Sequence, residues 1–558
     1  MARHGRYVKF TIILLLFIYP LLFSRSFSAL SHWYYEGLLV NPLIFCYILA
    51  IVGLVAVLVF VKGRLGLFSL ISIILVFSAL EAITDYPRMI DIDVNLQGSC
   101  INVITEDGHL SEAWNPYHTF YPGFFVLWSA VSLVTGVDVR ASNVMIMLPI
   151  TAVLLGLLLV SFYRKLGAGK GTSFTMGLLA FLLMNFHINE GAFLHFNTRL
   201  YALELTMLAL LFFFDMISAT GRKKQIVFLF VFYVVVISHV LFSMAVLMFM
   251  FVYWLIEKRH NRLLIESLFL GVLIYVAHNL SMASTVFGFY VGSFLDYLYL
   301  RIAEEMLITI PFVTENVPVL SVVLRTYYKI LLAAIGLLAA YSLIKLRHKS
   351  GVRNMLYLLL AGIITFGATI FSASLGNSIV RGLMLLVVPL AFLSLFAIVG
   401  RHRRALRPQK LQSLALVVTL LIIPQFLLVH ETSWRALNLP SLDAASTLAA
   451  HTRNGQPIAA YGAFTHYYSF YEPKSWEYKL IGYYEEGMLP QVVNLSDIDD
   501  FFVQSGGIIF ITFKDIQVLG YSLSSFDESY EMWTKEVFLP LESQCNKIYD
   551  NGFERIYR

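Results

Sequence analysis

A hydrophobic run of about 20 residues has no stable place in water, because its helix spans the roughly 30 Å of a bilayer core and offers little polar face. This chain of 558 residues carries such runs one after another, near 10–30, 39–61, 67–84, 141–162, 172–190, 199–217, 263–280, 322–344, 354–372, 381–399 and 411–429. Composition points the same way. The chain is 58% hydrophobic and only 13% charged, against about 25% charged in a soluble domain. Cys46, Cys100 and Cys545 are its only cysteines, which excludes a disulfide-stapled secreted fold. The chain reads as a polytopic α-helical membrane protein.

Residues 225–256 form one further run, too long for a single ordinary span and interrupted by the polar pair Ser238 and His239. It reads as two short helices joined by a tight hairpin, which brings the total to about thirteen transmembrane helices. The run at 10–30 resembles a signal peptide but lacks a convincing small-residue cleavage site, so it reads as a retained anchor. Orientation follows from Lys and Arg, which gather on the cytoplasmic side. With a cytoplasmic N-terminus, that terminus and the alternate loops hold 23 of the 31 basic residues in 1–429. Splitting 225–256 keeps this alternation intact, an argument independent of hydropathy.

Charge also divides the chain. Residues 1–429 hold 31 Lys/Arg against 18 Asp/Glu, whereas 430–558 hold 9 against 17. The first part is a basic transmembrane domain, and the second is expected to be a small extracytoplasmic α/β domain. Within it, Gly507–Phe513 and Ile458–Tyr461 read as buried strands, Leu442–Thr452 and Tyr530–Cys545 as helices, and Phe553–Tyr557, after the Asn551-Gly552 turn, as an edge strand. The long first outer loop is expected over 85–140. Inside it Phe124–Val134 is apolar but too short to span, and Pro122-Gly123 introduces it. Such a segment fits a helix lying in the interface with its apolar face down.

The outer loops carry the chemistry. Asp85, Asp91, Asp93, Glu106, Asp107, Glu112, His109 and His118 lie in 85–119, beside apolar helix ends. A solvated loop with local ion pairs accounts for them, since Asp85 and Asp91 are each three residues from Arg88. The sharper alternative makes one carboxylate a general base for an attacking sugar hydroxyl, with a phosphate as leaving group. Its developing charge calls for Arg or Lys. Outer basic residues are scarce, and they include Arg199, Arg325, Lys329, and Arg381 close after Asn377. Each alone fits an arginine or lysine snorkelling to headgroups; several converging would hold a lipid-borne phosphate. His239, at the hairpin tip, fits either a capping and packing role or a chemical one. Asp93, Glu106, Asp107, His109 and His239 are the candidate ligands for a divalent metal, although no spacing among them is diagnostic. No phosphate-binding glycine loop, zinc spacing or Ser-His-Asp signature occurs in the C-terminal part, and nothing in the chain points to nucleic acid.

Taken in order along the chain, several segments resemble the GT-C glycosyltransferases, and the archaeal-type members in particular. They are Tyr86–Asp93 (YPRMIDID), Gly108-His109, Tyr121–Gly136 (YPGFFVLWSAVSLVTG), Asn197–Glu204 (NTRLYALE), Ser238-His239, Ser378–Pro389 (SIVRGLMLLVVP) and the ending KIYDNGFERIYR. The resemblance implies an integral membrane enzyme of the plasma membrane that takes a sugar from a polyprenyl- or dolichyl-phosphate donor at the outer face, with inversion. The acceptor would be a glycan, a lipid or a protein. It implies Asp91 as catalytic base, with Asp93 as runner-up, and Arg381 and Arg199 as phosphate-binding residues. Glu106, Asp107, His109, His239, Tyr121 and Asn377 would line the site. The chain departs from the family in placing two spans before the one that leads into the acidic loop. It also lacks the Trp-Trp-Asp-type motif of the oligosaccharyltransferases.

Two other functions stand beside this one. A transporter or lipid flippase would show internal repeats and broken midplane helices, and the chain shows no repeat. A non-catalytic scaffold of a glycan-assembly complex would bind donor lipid without turnover. Finally, Cys100 and Cys545 both fall outside and are candidates for a disulfide, and Asn279-Leu-Ser281 and Asn494-Leu-Ser496 are outward sequons.

Overall fold

The computed structural model describes residues 100–105, 108–109, 119–136, 148–184, 198–218, 221–257, 262–284, 287–288, 319–370 and 376–399, and the strands 458–460, 508–512, 547–550 and 554–557. The spans expected before residue 85 and at 411–429 lie outside these residues, as do the helices expected at Leu442–Thr452 and Tyr530–Cys545.

Ten α-helices follow in order: α1 Gly123–Thr135, α2 Leu148–Lys165, α3 Lys170–Met184, α4 Thr198–Ser218, α5 Arg222–Val236, α6 Val240–Glu257, α7 Arg262–Ala277, α8 Val319–Leu346, α9 Ser350–Ile370 and α10 Gly376–Val399. Each of the later nine matches an expected span. The break inside 225–256 falls at Ser238 and His239, where α5 stops and α6 starts. Helix α7 runs on into a π-helical turn, His278–Met282. Three helices among the described residues are individually long and apolar enough to cross a bilayer: Thr198–Ser218, Val240–Glu257 and Arg262–Met282. Helix α1 is of another kind, since its 13 residues reach only about 20 Å.

The helices alternate in direction, and side-chain contacts prove it. Lys165 at the end of α2 pairs with Asp215 near the end of α4. Arg353 at the start of α9 meets Glu257 at the end of α6, Nε to Oε1 2.7 Å, and the Tyr357 hydroxyl donates to the same oxygen at 3.0 Å. Gln225 at the start of α5 donates to Ser267 in α7, and Ser267 donates on to Met216 Sδ in α4. Lys349 lies over the Phe396 ring near the end of α10. Among the described residues, the turns that follow Lys165, precede Arg222, follow Glu257 and join Lys345 to Arg353 therefore gather at one end of the bundle, as expected of them. The opposite end, called outer below, holds the starts of α4 and α10, the α5–α6 turn and the π-turn.

The core is aromatic. Phe213 packs edge-on against Phe228, Phe249 and Tyr253 with centroids 5.9, 5.5 and 5.4 Å apart, a geometry that aligns ring edges with ring faces. Tyr163 donates to Val388 O at 2.9 Å and Ser342 to Leu393 O at 2.6 Å, tying α2 and α8 to α10 on either side of Pro389. The outer flanks of the bundle are also apolar. Ile226 and Phe230 on α5, Phe269 on α7 and Leu337 on α8 are 64–73% exposed. Helices apolar on every side belong in hydrocarbon; the chain is an integral membrane protein.

The four strands, β1 Ile458–Ala460, β2 Ile508–Thr512, β3 Lys547–Asp550 and β4 Glu554–Tyr557, form one sheet in the order β1-β2-β4-β3. β1 and β2 run parallel, and β4 is antiparallel to both β2 and β3. This corrects the edge-strand expectation for Phe553–Tyr557. Among the described strands β4 is internal, and Lys547–Asp550, antiparallel to it, takes the edge. A local pattern shows that a segment is extended, whereas its place in the sheet depends on partners far along the chain.

Candidate functional site

The outer end is assembled around the start of α1. Pro122 and Gly123 turn the chain into the helix, and Gly136, at φ 66°, ends it in the left-handed conformation that glycine adopts without strain. Four contacts seat α1. Gly123 N–H donates to Ile237 O at 3.1 Å. Tyr121, fully buried, donates its hydroxyl to Asn279 Oδ1 at 2.6 Å. His278 Nε2 lies 3.0 Å from Phe120 O. Phe124 packs on Tyr201 in the second turn of α4, centroids 5.8 Å apart. The short helix thus ties together α4, the α5–α6 turn and the π-turn. Asn279 also donates to Tyr275 O at 2.8 Å, so the π-turn is held from both sides.

Gly123 is the closest approach. A Cβ built there would fall under 3.0 Å from Ser238 Oγ and 3.3 Å from Ile237 O. Only a residue without a side chain lets the α1 backbone meet the hairpin turn.

The helical segment 100–105 of the first outer loop packs on α1: it buries Cys100 and Ile101 against Phe124, Phe125 and Trp128, and Ser129 Oγ donates to Ile101 O at 3.1 Å. Gly108, at φ 77°, closes the segment with its N–H on Ile104 O, and His109 follows it, exposed. Cys100 is a buried, free thiol; Cys545, its candidate disulfide partner, lies outside the described residues. Burial holds this thiol well above its usual range.

The other candidates are placed as follows. Arg199 is half-buried in the first turn of α4. Asn377 and Arg381 stand in the first turns of α10, which starts at the same end, though their side chains are outside the described residues. Two helix N-termini and two arginines therefore sit at the outer end, and both features favour an anion. His239, at the hairpin tip, is buried rather than outward-facing; its Nδ1 accepts from Leu241 N–H at 3.3 Å and its ring meets Phe242 edge-on. Tyr121 is committed to Asn279. Asp91, Asp93, Glu106 and Asp107 lie outside the described residues. Among the described residues no three His, Cys, Asp or Glu side chains come close enough to hold a metal. One sequence expectation changes here: Asn279 is 1% exposed with its amide engaged on both sides, so the Asn279-Leu-Ser281 sequon is closed in the folded protein.

Sequence reasoning read Asn279 only as a sequon and missed its role, and that of Gly123, in seating α1. The Tyr-Pro-Gly motif was visible, but its partners stand 158 positions from Tyr121 and more than a hundred from Gly123, and no local signal marks them.

No family model matches the sequence, and comparison with curated proteins finds no match. Solved structures do match. ArnT from Cupriavidus metallidurans bound to undecaprenyl phosphate aligns with 89% of this chain and 98% of its own, at a TM-score of 0.52 and 11% identity. The same protein in the apo state aligns with 83% and 93%, at 0.50 and 11%. The chain carries the GT-C fold. An Archaeoglobus fulgidus oligosaccharyltransferase, in complex with Zn and sulfate, aligns at 0.48 and 13% identity over 82% of this chain and 70% of its own, a likeness too slight to carry an argument. At such identities the GT-C fold is shared, while the chemistry has to be argued from this chain's own residues.

Proposed function

We propose that the protein transfers a sugar from a polyprenyl-phosphate-linked donor to an acceptor hydroxyl at the extracytoplasmic membrane face, with inversion. The observation that carries this reading is the outer end itself. Helix α1 and the 100–105 segment pack together there, and α4 and α10 start at the same end with Arg199 and Arg381 in their first turns, in a fold that ArnT uses while holding undecaprenyl phosphate. The polyprenyl tail lies between helices, and its phosphate is drawn to the two arginines and the two helix N-termini.

In the reaction the acceptor oxygen attacks the anomeric carbon opposite the phosphate. The acceptor's proton passes to the Asp91 carboxylate, the new C–O bond forms, and the anomeric C–O bond breaks with its electron pair leaving on polyprenyl phosphate. Asp93 is the second candidate for the base. Arginine charge offsets what develops on the leaving oxygen. The C-terminal residues 430–558, as a domain of their own, select the acceptor. A glycan, a lipid or a protein is the acceptor class.

The test is transfer of radiolabelled sugar from polyprenyl-phosphate donors by the purified full-length protein, with Asp91→Asn and Asp93→Asn alongside. Loss of turnover in Asp91→Asn, with donor binding unchanged, supports the reading. Full activity in Asp91→Asn refutes the base. Donor binding without turnover by the wild-type protein, across all three acceptor classes, identifies a scaffold instead. Failure to bind any donor brings the transporter forward.

A further inference from the structure

Four acidic side chains lie in the described helices, and three have a basic partner at the inner end. Asp215 pairs with Lys165, Glu257 with Arg353 and Glu266 with Arg262. Glu204 is the exception. It is 6% exposed, and its Oε1 has no hydrogen-bond partner among the described residues. It stands on α4 three residues after Tyr201, hence on the face that Tyr201 turns toward α1. A second buried oxygen shares this condition: Thr365 Oγ1 on α9, in a residue 1% exposed.

Both stand in the outer half of the bundle. Glu204 is six residues below the outer start of α4, and Thr365 five below the outer end of α9, each about 8–9 Å from its own helix end at 1.5 Å per residue. The approach of Gly362 to Leu386 sets Thr365 within about one helical turn of the level of Arg381 on α10. An unpaired polar oxygen at that depth is costly, and an apolar residue would pack there without the cost.

We propose that Glu204 and Thr365 belong to a polar layer that binds the sugar of the donor's headgroup through its hydroxyl groups. The inference rests on the donor reading above and adds the part of the donor these residues recognise. The phosphate is the wrong partner for Glu204, because a phosphodiester offers only acceptor oxygens and negative charge. A sugar offers O–H donors, which a carboxyl oxygen and a threonine hydroxyl both accept.

The experiment uses the full-length protein in lipid nanodiscs and two probes, bare polyprenyl phosphate and the same lipid phosphate carrying a hexose. The variants are Glu204→Gln, Glu204→Leu and the near-isosteric Thr365→Val. The wild-type protein is expected to bind both probes, the hexose-bearing one more tightly. Glu204→Leu and Thr365→Val should each lose about tenfold affinity for the hexose-bearing probe while holding the bare one within about twofold. Glu204→Gln, which keeps an accepting oxygen, should lose less. Thermal stability should hold or rise in Glu204→Leu, since a structural carboxylate would instead lower it. Unchanged hexose-probe affinity in Glu204→Leu overturns the inference, and so does an equal loss for both probes. A wild-type protein that binds neither probe overturns the donor reading itself, a result separate from any variant's.

Discussion

Substituting Gly123 by alanine tests how the outer end is put together. The new methyl carbon would sit under 3.0 Å from Ser238 Oγ and 3.3–3.4 Å from two atoms of Ile237. Ser238 is not free to yield, since its hydroxyl donates to Val234 O at 2.6 Å. Helix α1 must therefore lift by roughly 1 Å to restore ordinary contact. That lengthens the 3.1 Å hydrogen bond from Gly123 N–H to Ile237 O past its useful range. Overpacking costs about 1–3 kcal/mol and the lost hydrogen bond about 1 kcal/mol more. We therefore expect Gly123→Ala to destabilise by about 2–4 kcal/mol, read by denaturant unfolding in bicelles, with a parallel fall in donor binding. Ser238→Ala removes the nearest obstacle, and the double variant should recover at least half of the loss. A Gly123→Ala protein as stable as wild type, or a double variant no better than the single one, would refute this account of the α1 seat.

Further expectations follow from the same contacts. Tyr121→Phe keeps the ring against His278 but strands Asn279 Oδ1 in a buried place; it should cost about 1–3 kcal/mol, and a double-mutant cycle with Asn279→Ala should show coupling of about 1 kcal/mol or more. In a Cys46→Ser, Cys545→Ser background, Cys100 should resist maleimide at pH 7–8. Its buried thiol is held protonated well above that window, so raising the pH to 9 should barely speed labelling, whereas adding Gly123→Ala should; rapid labelling of the folded parent would contradict its burial. Arg353→Ala, which leaves the nearly buried Glu257 without its cation, should cost about 1–3 kcal/mol. Lys165→Ala, at a more exposed pair, should cost about 0–1 kcal/mol by the same unfolding measurement.

How much of this was legible in the sequence varies with the range of the forces involved. The break at Ser238 and His239 was readable because a bilayer fixes span length and because positive charge must alternate between loops. Helix α1 was readable for the complementary reason, an apolar stretch too short to cross behind a Pro-Gly turn. Pairings across the bundle were not. Tyr121 finds Asn279, and Gly123 finds Ser238, only after α4 to α7 have packed. The π-turn at His278–Met282 leaves no periodic trace, since it extends an ordinary helix by one residue per turn. Strand β4 was visible as a strand, yet its internal position depends on β2, some 45 residues earlier. His239 shows the limit of residue type as a guide. A histidine at an outer tip is more often a capping or packing residue than a chemical one, and only the structure shows its Nδ1 accepting from Leu241 N–H in the next helix.

The central claim is that the outer end receives the headgroup of a polyprenyl-phosphate donor. Photo-crosslinking measures it most directly, with a polyprenyl phosphate carrying a diazirine beside the phosphate, reconstituted with the full-length protein and mapped by mass spectrometry. The account places the crosslinks in 119–136, in the first turns of α4 and in the first turns of α10, with competition by unlabelled polyprenyl phosphate. Crosslinks confined to the inner end, around Arg222–Lys224 and Lys345–Arg353, or labelling that unlabelled lipid does not displace, would contradict it.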